Sequence, residues 1–304
     1  MSEHILGVFR SVFLLAVAMS VAVGAAPARS ASQQALALSV GDPGPLKPGG
    51  VALIEVTSPE DLIDLSGDIG GRPVHFWQGA SPRSWSGLAG VALDTAPGPI
   101  ALAIRGKTEH GRSAAAKASL VVERYRYETR RIQVDPKMAN PPESESARIQ
   151  QDSRMMAEAF AIMTRERFWR GAFEPPVSGA ANSSFGRLTV TNGKPSGRHQ
   201  GTDFRAATGT PVHAPNAGRV VLARNLYFAG NTVIIDHGLG VFSLLAHLSQ
   251  IGVAPGTAVA RGDVVGESGS TGRVTGPHLH WAVRFGEMTV DPLSLMSAVA
   301  NLQD

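Results

Sequence analysis

Cysteine is absent from the 304-residue chain. Its absence excludes disulfide scaffolds, thiolate metal sites, cysteine nucleophiles and a lipid anchor on an N-terminal cysteine. Any bound transition metal must therefore be held by histidine and carboxylate side chains. Dense runs of lysine or arginine are also lacking, and the formal net charge is only +3. The sequence therefore predicts no nucleic-acid partner.

Aromatic residues are scarce at 6%, whereas the chain contains 34 glycines and 20 prolines. This composition favours turn-rich β-structure over long helices. Hydrophobic residues make up 43% of the chain and charged residues 17%, which is enough to bury a core. At roughly 100–200 residues per domain, the length predicts about two domains or one large one.

An apolar stretch near the N terminus lies between Arg10 and Gly24 and is followed by the small residues of Ala25–Ala28. This pattern is typical of a secretory signal peptide, and the run is shorter than the ~20 residues of a spanning helix. We therefore predict a signal peptide over residues 1–30, with an uncleaved membrane anchor as the alternative. The rest of the chain is expected outside the cytoplasm, in the periplasm or the extracellular envelope. Membrane contact is expected only if the segment stays uncleaved.

The remaining chain predicts a mainly β fold in three parts. Short alternating apolar runs, broken by glycine and proline, indicate an immunoglobulin-like β-sandwich domain over residues 35–134. Helical periodicity then predicts a linker helix over residues 143–170, with Ile149 and Met156 on its apolar face. A second β-rich stretch runs from about 185 to 292.

Histidines cluster in this last stretch, which holds six of the nine in the chain. The first motif is His199-Gln-Gly-Thr-Asp203, in which a histidine and a carboxylate four residues apart can converge if the chain turns tightly at Gly201. The second is His278-Leu-His280, and residues two apart on a strand face the same side.

His247 adds a third element, because it lies in the strand-like run Leu-Leu-Ala-His-Leu. Taken together, the motifs predict a metal site of two histidines and one aspartate. Such a site leaves a fourth position open for water, as catalytic zinc requires.

From about residue 176 to 292 the sequence resembles the M23 (LytM/lysostaphin-type) zinc metallopeptidases, which cleave peptide cross-links or bridges in bacterial peptidoglycan. The resemblance rests on several spaced motifs that occur in the same order, including Ser184-Phe-Gly-Arg187, His199-Gln-Gly-Thr-Asp203, Gly230-Asn-Thr-Val-Ile-Ile-Asp-His-Gly238, Leu245-Ala-His-Leu248 and Thr271-Gly-Arg-Val-Thr-Gly-Pro-His-Leu-His-Trp281. It implies a C-terminal antiparallel β-sheet peptidase domain over residues 176–304. The sandwich and helix more loosely resemble the N-terminal modules of some secreted members.

The resemblance also implies a role for each site residue. His199, Asp203 and His280 correspond to the ligands of one Zn²⁺ per chain, and His247 and His278 correspond to catalytic histidines. An unligated imidazole can take the proton of the attacking water and pass one to the leaving amine, and a second can support the oxyanion. The resemblance leaves open which of the two histidines is the general base.

Two positions depart from the family pattern. Leu245 stands where the family usually has tyrosine, and Ala282 stands where it often has glutamate or another polar residue. His237 falls outside the ligand motifs, and we expect it in a turn or a supporting role. Trp281 is expected in the core, on the opposite side of its strand from His280.

The function implied is a secreted or periplasmic zinc metalloendopeptidase that hydrolyses peptide cross-links of peptidoglycan. Its partners are then peptidoglycan peptide stems, and the sequence identifies no protein partner. The alternative is a non-catalytic module that binds the cell wall or activates an amidase, as in relatives that have lost ligands. A purely structural zinc site would need a closed shell of four ligands.

Overall fold

The structure is a computed structural model that describes residues 36–133, 141–183 and 185–302. The predicted signal peptide over residues 1–30 lies outside these ranges. Over the ranges described, none of the helices has the length and apolar character needed to cross a membrane. Antiparallel β-sheets dominate these residues, which confirms the predicted fold class.

The N-terminal domain contains eight strands: β1 (Leu36–Ala37), β2 (Ser39–Val40), β3 (Val51–Thr57), β4 (Leu62–Ile69), β5 (Arg72–Gln78), β6 (Ser84–Gly90), β7 (Gly98–Thr108) and β8 (Ser113–Val122). They form one continuous sheet in the order β1-β8-β7-β4-β5-β6-β3-β2. Strand β5 joins its two halves, because residues 72–75 pair with β4 and residues 76–78 pair with β6. The predicted sandwich is therefore a barrel-like sheet around a single core, to which β3, β4 and β7 contribute Ile54, Leu65 and Ile104.

The linker helix is shorter than the predicted span of 143–170. A 3-10 turn at Glu143–Glu145 leads into helix α1 (Ser146–Phe160), where the helix ends. The chain beyond it follows another partner, since the backbone N–H of Phe168 donates to the carbonyl oxygen of His237 at 3.0 Å. Residues 161–170 therefore lie along the main sheet of the C-terminal half, and their apolar periodicity does not continue the helix.

The C-terminal half contains thirteen described strands and a short helix: β9 (Thr129–Ile132), β10 (Ala181–Ser183), β11 (Leu188–Thr191), β12 (Lys194–Arg198), β13 (Thr202–Phe204), β14 (Pro211–His213), β15 (Gly218–Leu226), β16 (Gly230–Gly238), β17 (Val241–Ile251), β18 (Ala258–Val259), β19 (Val264–Ser268), β20 (Leu279–Phe285), β21 (Met288–Val290) and α2 (Pro292–Ala298). The main sheet has the order β10-β13-β20-β17-β16-β15-β18, with β14, β19 and β21 attached. A separate three-stranded sheet has the order β12-β11-β9.

Strand β16 is buried on both faces of the main sheet. Val233 and Ile235 point into the central core, whereas Ile234 belongs to a second cluster on the other face. Helix α1 covers that second face, where the rings of Phe160 and Phe242 pack edge to face at 5.6 Å. The helix thus covers part of the face toward which His280 and Arg284 of β20 project, since the Arg284 guanidinium lies over the Phe160 ring at 4.3 Å.

The central core extends across both domains. Val51, Trp77 and Leu88 of the N-terminal domain belong to the same buried cluster as the core of the C-terminal domain. The contact is close at Gly90, where an added Cβ would lie 2.8 Å from the Met288 methyl group and 2.9 Å from Val290. The sequence predicts two domains, and their buried side chains form one packed body.

Candidate metal centre

Strand register brings the carboxylate of Asp203 beside His280. The two residues are direct partners in the antiparallel pairing of β13 with β20. Partners in such a pair project from the same face with adjacent Cβ atoms. Leu279 and Trp281, on either side of His280, are fully buried in the core. The period of two therefore turns His280 outward into the site, and it turns Trp281 inward as the sequence predicts.

Three ligand atoms meet at this point. The Asp203 Oδ1 lies 3.0 Å from His199 Nε2 and 2.9 Å from His280 Nδ1, and the two nitrogens are 3.2 Å apart. A tetrahedral zinc shell with bonds of ~2.0–2.1 Å places its ligand atoms about 3.3 Å apart. The triangle is thus close to the size that one divalent ion needs, and its donors are those that zinc accepts.

Gly201 is required by close approach. A Cβ added there would lie 2.6 Å from His280 Cε1 and 2.6 Å from the carbonyl oxygen of Trp281. The sequence predicts that Gly201 permits a tight turn, but the φ of Gly201 is not positive. Its function in the fold is to let the segment between His199 and Asp203 pass directly against the His280 ring.

Charge and burial fix the protonation of the ligand set. Burial by itself raises the pKa of Asp203, but hydrogen bonds with His199 and His280 outweigh it and hold that pKa far below its usual range. Burial lowers the pKa of His280, which favours its neutral form. An ionised carboxylate and a neutral imidazole are the states that bind a metal ion.

His247 lies beside the triangle in an unusual backbone conformation. Its φ of 65° is in the left-handed region, although it is neither glycine nor asparagine. Its Nδ1 donates to the carbonyl oxygen of Thr271 at 3.0 Å, so the neutral ring keeps its lone pair at Nε2. Burial and, next, the nearby His280 lower the pKa of His247 to about 4. The ring is therefore neutral at pH 7.

His278 completes the group. Its Nδ1 donates to the carbonyl oxygen of Gly276 at 2.8 Å, which again leaves Nε2 as the acceptor. That Nε2 is 3.8 Å from Asp203 Oδ1, and the ring centroid is 4.9 Å from that of His247. The side chains of His278 and His280 are 18% and 17% exposed, so the site is recessed but open to solvent.

All five residues that the sequence singles out are thus brought together. The carbonyl groups of Thr271 and Gly276, which orient the two unligated rings, are an addition that sequence reasoning missed. A backbone acceptor has no residue-type signature, so only the folded chain could reveal it.

The two departures from the family pattern have different positions. Leu245 is fully buried in the central core, on the face of β17 that points away from the site. Ala282 lies two residues after His280 on the same strand and is 7% exposed. The substitution at Leu245 therefore makes no direct contribution to the metal centre.

His237 lies away from the metal centre. It is fully buried, and its Nδ1 donates to the carbonyl oxygen of Ala217 at 2.8 Å. Its Nε2 accepts from Ser243, whose hydroxyl in turn accepts from the indole N–H of Trp281. This chain of hydrogen bonds ties β16, β17 and β20 together behind the site, in agreement with the supporting role predicted for His237.

Comparisons with known proteins agree with this geometry. The model of peptidase family M23 matches residues 197–292. A candidate M23 peptidase from Pseudomonas aeruginosa, known from a crystal structure, is 31% identical with a TM-score of 0.64. That alignment covers 85% of this chain and 96% of the Pseudomonas chain.

Two curated relatives share the C-terminal part. The peptidoglycan DD-endopeptidase ShyA of Vibrio cholerae is 52% identical over 83 residues, which are 27% of this chain and 19% of ShyA. The DD-carboxypeptidase/endopeptidase Mpg of Neisseria meningitidis is 44% identical over 97 residues, or 32% of this chain and 22% of Mpg. The chain thus spans about a fifth of the length of these relatives. The Pseudomonas structure, by contrast, is matched over nearly its whole length, and on that likeness the chain belongs to peptidase family M23.

Proposed function

We propose that the chain is an exported zinc metalloendopeptidase that hydrolyses peptide cross-links of bacterial peptidoglycan. The observation that carries the proposal is the triangle of His199, Asp203 and His280 with two unligated imidazoles beside it. The relatives ShyA and Mpg, which are named for endopeptidase activity, support the peptide substrate. The apolar N-terminal segment supports export.

Zinc is the ion that best fits the donor set. His199 Nε2, His280 Nδ1 and Asp203 Oδ1 would hold it, and three protein ligands leave a position free. A zinc ion held there supplies Lewis acidity, which acidifies water and polarises the scissile carbonyl group.

The chain's own contribution to the chemistry comes from His247 and His278. Because the carbonyl groups of Thr271 and Gly276 fix both rings in the same tautomer, each presents an unprotonated Nε2. One ring accepts the proton of the attacking water at its Nε2 and transfers it to the leaving amine. The other can stabilise the developing oxyanion by donating a hydrogen bond only in its cationic form, in which Nε2 also carries a proton. The burial that keeps His247 neutral at pH 7 makes it able to accept a proton.

The test is hydrolysis of purified, cross-linked muropeptides, followed by mass spectrometry of the products. We expect cleavage by the zinc-loaded chain, loss of cleavage with a chelator, and recovery when zinc is added back. Replacing His280 by alanine should abolish zinc binding and cleavage. The matched control is His110→Ala, at an exposed position of the N-terminal domain, which should change neither. Absence of cleavage in every metal state and on every wall type would refute the proposal.

The non-catalytic alternative predicts a different outcome. A module that only binds the wall or activates an amidase needs no unligated imidazole, so His278→Ala should then leave its cellular function intact. A catalytic role predicts that this variant retains zinc and loses cleavage, because His278 is oriented by Gly276 and is not one of the three proposed ligands.

A further inference from the structure

A strongly basic surface lies on the three-stranded sheet and the segment that leads into it. We define this basic surface by its exposed cationic side chains, which are Arg124, Arg126, Arg130, Arg131, Lys194 and Arg198. Throughout the ranges that the structure describes, none of them has a carboxylate oxygen within 4.0 Å. Within the described residues, these charges are therefore not neutralised by ion pairs.

The charge of this surface exceeds that of the whole chain. Residues 123–133 and 186–198 contain seven arginines and lysines but only two acidic residues, Glu123 and Glu128. The complete chain has a formal net charge of only +3. The rest of the molecule is consequently net negative, so positive charge is concentrated in one place.

Sheet pairing brings the two stretches together. Strand β9 pairs in parallel with β11, which pairs in turn with β12. In this register Arg131 and Arg198 lie on one face of the small sheet, and Arg130 and Lys194 lie on the other. All five residues of the edge strand β12 are exposed. The basic surface therefore presents cationic side chains on both faces of the three-stranded sheet.

The basic surface is adjacent in sequence to the metal centre. Arg198 is followed in the chain by His199, whose backbone N–H donates to the carbonyl oxygen of Arg187 at 2.9 Å. The carbonyl oxygen of His199 accepts from the N–H of Gly186 at 2.8 Å. A polymer held on the basic surface would thus lie next to the proposed site of cleavage.

We propose that the basic surface docks carboxylate groups of the peptidoglycan peptides that flank the one being cut. This inference rests on the proposed function for the identity of the polymer. Arginine donors match carboxylates well, while a single exposed pair contributes little and is screened by salt. Many such pairs along one polymer act together, so the surface retains the enzyme on an insoluble, multivalent substrate.

The experiment measures co-sedimentation of the full zinc-loaded chain with purified sacculi at about 50 to about 300 mM salt. Over this range the Debye length falls from ~14 to ~6 Å, so exposed charge pairs become progressively screened. Every protein in this assay also carries His278→Ala, so that it does not cleave the sacculi. Binding should weaken as salt rises, and R130E/R131E should bind about tenfold more weakly. The matched control is R105E/K117E, which makes the same charge change on exposed residues of β7 and β8 and should bind like the parent.

Two treatments of the sacculi identify the anionic group. Amidation of their carboxyl groups should abolish the salt-sensitive binding, whereas hydrofluoric acid, which removes phosphate polymers, should leave it unchanged. The proposal is overturned if amidated sacculi bind normally, if acid treatment removes binding, or if the control pair weakens binding as much as R130E/R131E. Thermal melting of each variant checks folding, and K194E provides a second, single substitution with the same expected direction.

Failure of this proposal is distinguishable from failure of the proposed function. Hydrolysis of a small soluble muropeptide by the unaltered chain tests cleavage without any need for polymer docking. Cleavage of the soluble substrate with salt-independent sedimentation would refute only the docking surface. Salt-sensitive sedimentation with no cleavage would refute only the peptidase.

Discussion

Trp77 of the N-terminal domain packs edge to face against Trp169 of the segment that precedes the peptidase sheet, with ring centroids 5.0 Å apart. The guanidinium of Arg167 stacks on both rings, at 4.7 and 4.9 Å from their centroids. Trp169 is fully buried and also contacts Phe173 at 5.4 Å. This aromatic cluster joins the two domains into one core and so predicts that they unfold together.

Trp77→Ala should therefore lower the free energy of unfolding of both domains together. Truncation of a buried tryptophan costs about 3 kcal/mol or more, because it removes apolar contacts and leaves a cavity. Calorimetry should show a single transition in the parent chain and a lower or divided transition in the variant. Ile63→Ala, at a side chain that is 59% exposed, is the control and should change little. An unchanged melting temperature for Trp77→Ala would contradict the shared core.

Gly201→Ala should weaken zinc binding although it replaces no ligand. The new methyl group would lie 2.6 Å from His280 Cε1 and would force the ring or the backbone to move. We expect zinc affinity to fall at least about tenfold, as measured by competition with a chelating dye. Gly41→Ala is the control, because its added Cβ would meet only ordinary contacts at 3.7 Å. Zinc affinity equal to that of the parent would show that the close approach is unimportant.

His247 should reveal its backbone strain through a pair of substitutions. Alanine at a φ of 65° remains strained, whereas glycine adopts this conformation freely. His247→Gly should therefore be more stable than His247→Ala by about 1 kcal/mol in urea unfolding, although both lack the imidazole.

The neighbouring Ala246 supplies the control for that comparison. Its backbone is not in the left-handed region, so Ala246→Gly should lower stability. If His247→Gly also proves less stable than His247→Ala, the left-handed conformation is not a source of strain.

Buried His237 should make stability depend on pH. Burial lowers its pKa to about 4, from an ordinary value of 6.5 in the unfolded chain. Above about pH 6.5 the ring is neutral in both the folded and the unfolded chain, so His237 does not change the stability. As the pH drops toward 4 the unfolded chain takes up the proton first, and the free energy of unfolding falls by about 3 kcal/mol. His237→Gln should show a shallower decline than the parent between pH 6.5 and 4 in urea unfolding.

The control for the pH experiment is His110→Gln, at an exposed position. It should retain the parent's dependence on pH, because its ring is not part of a buried hydrogen-bond chain. Parallel curves for the parent and His237→Gln would exclude His237 as the source.

Much of the metal centre can be predicted from spacing along the chain. His199 and Asp203 lie four residues apart, and His278 and His280 lie two apart on a strand, so local geometry already brings each pair to one side. The mainly β architecture follows equally from alternating apolar runs, because a period of two allows a strand to bury one face.

Other features depend on contacts between distant segments, which no local pattern encodes. Helix α1 ends at Phe160 because the following chain pairs with the backbone near His237, although its apolar periodicity runs on. The tautomers of His247 and His278 depend on backbone carbonyl groups, and a carbonyl looks the same in every residue.

The basic surface is the clearest case of this division. Neither of its two stretches is a dense cationic run, so the sequence predicts no nucleic-acid partner and does not locate a basic surface. The parallel pairing of β9 with β11 brings the charges of both stretches together in the basic surface, beside His199. Sequence spacing thus determines which side chains can share a strand face. The long-range pairing of strands decides which charges and rings become neighbours, because hydrogen bonds and burial join residues regardless of their separation along the chain.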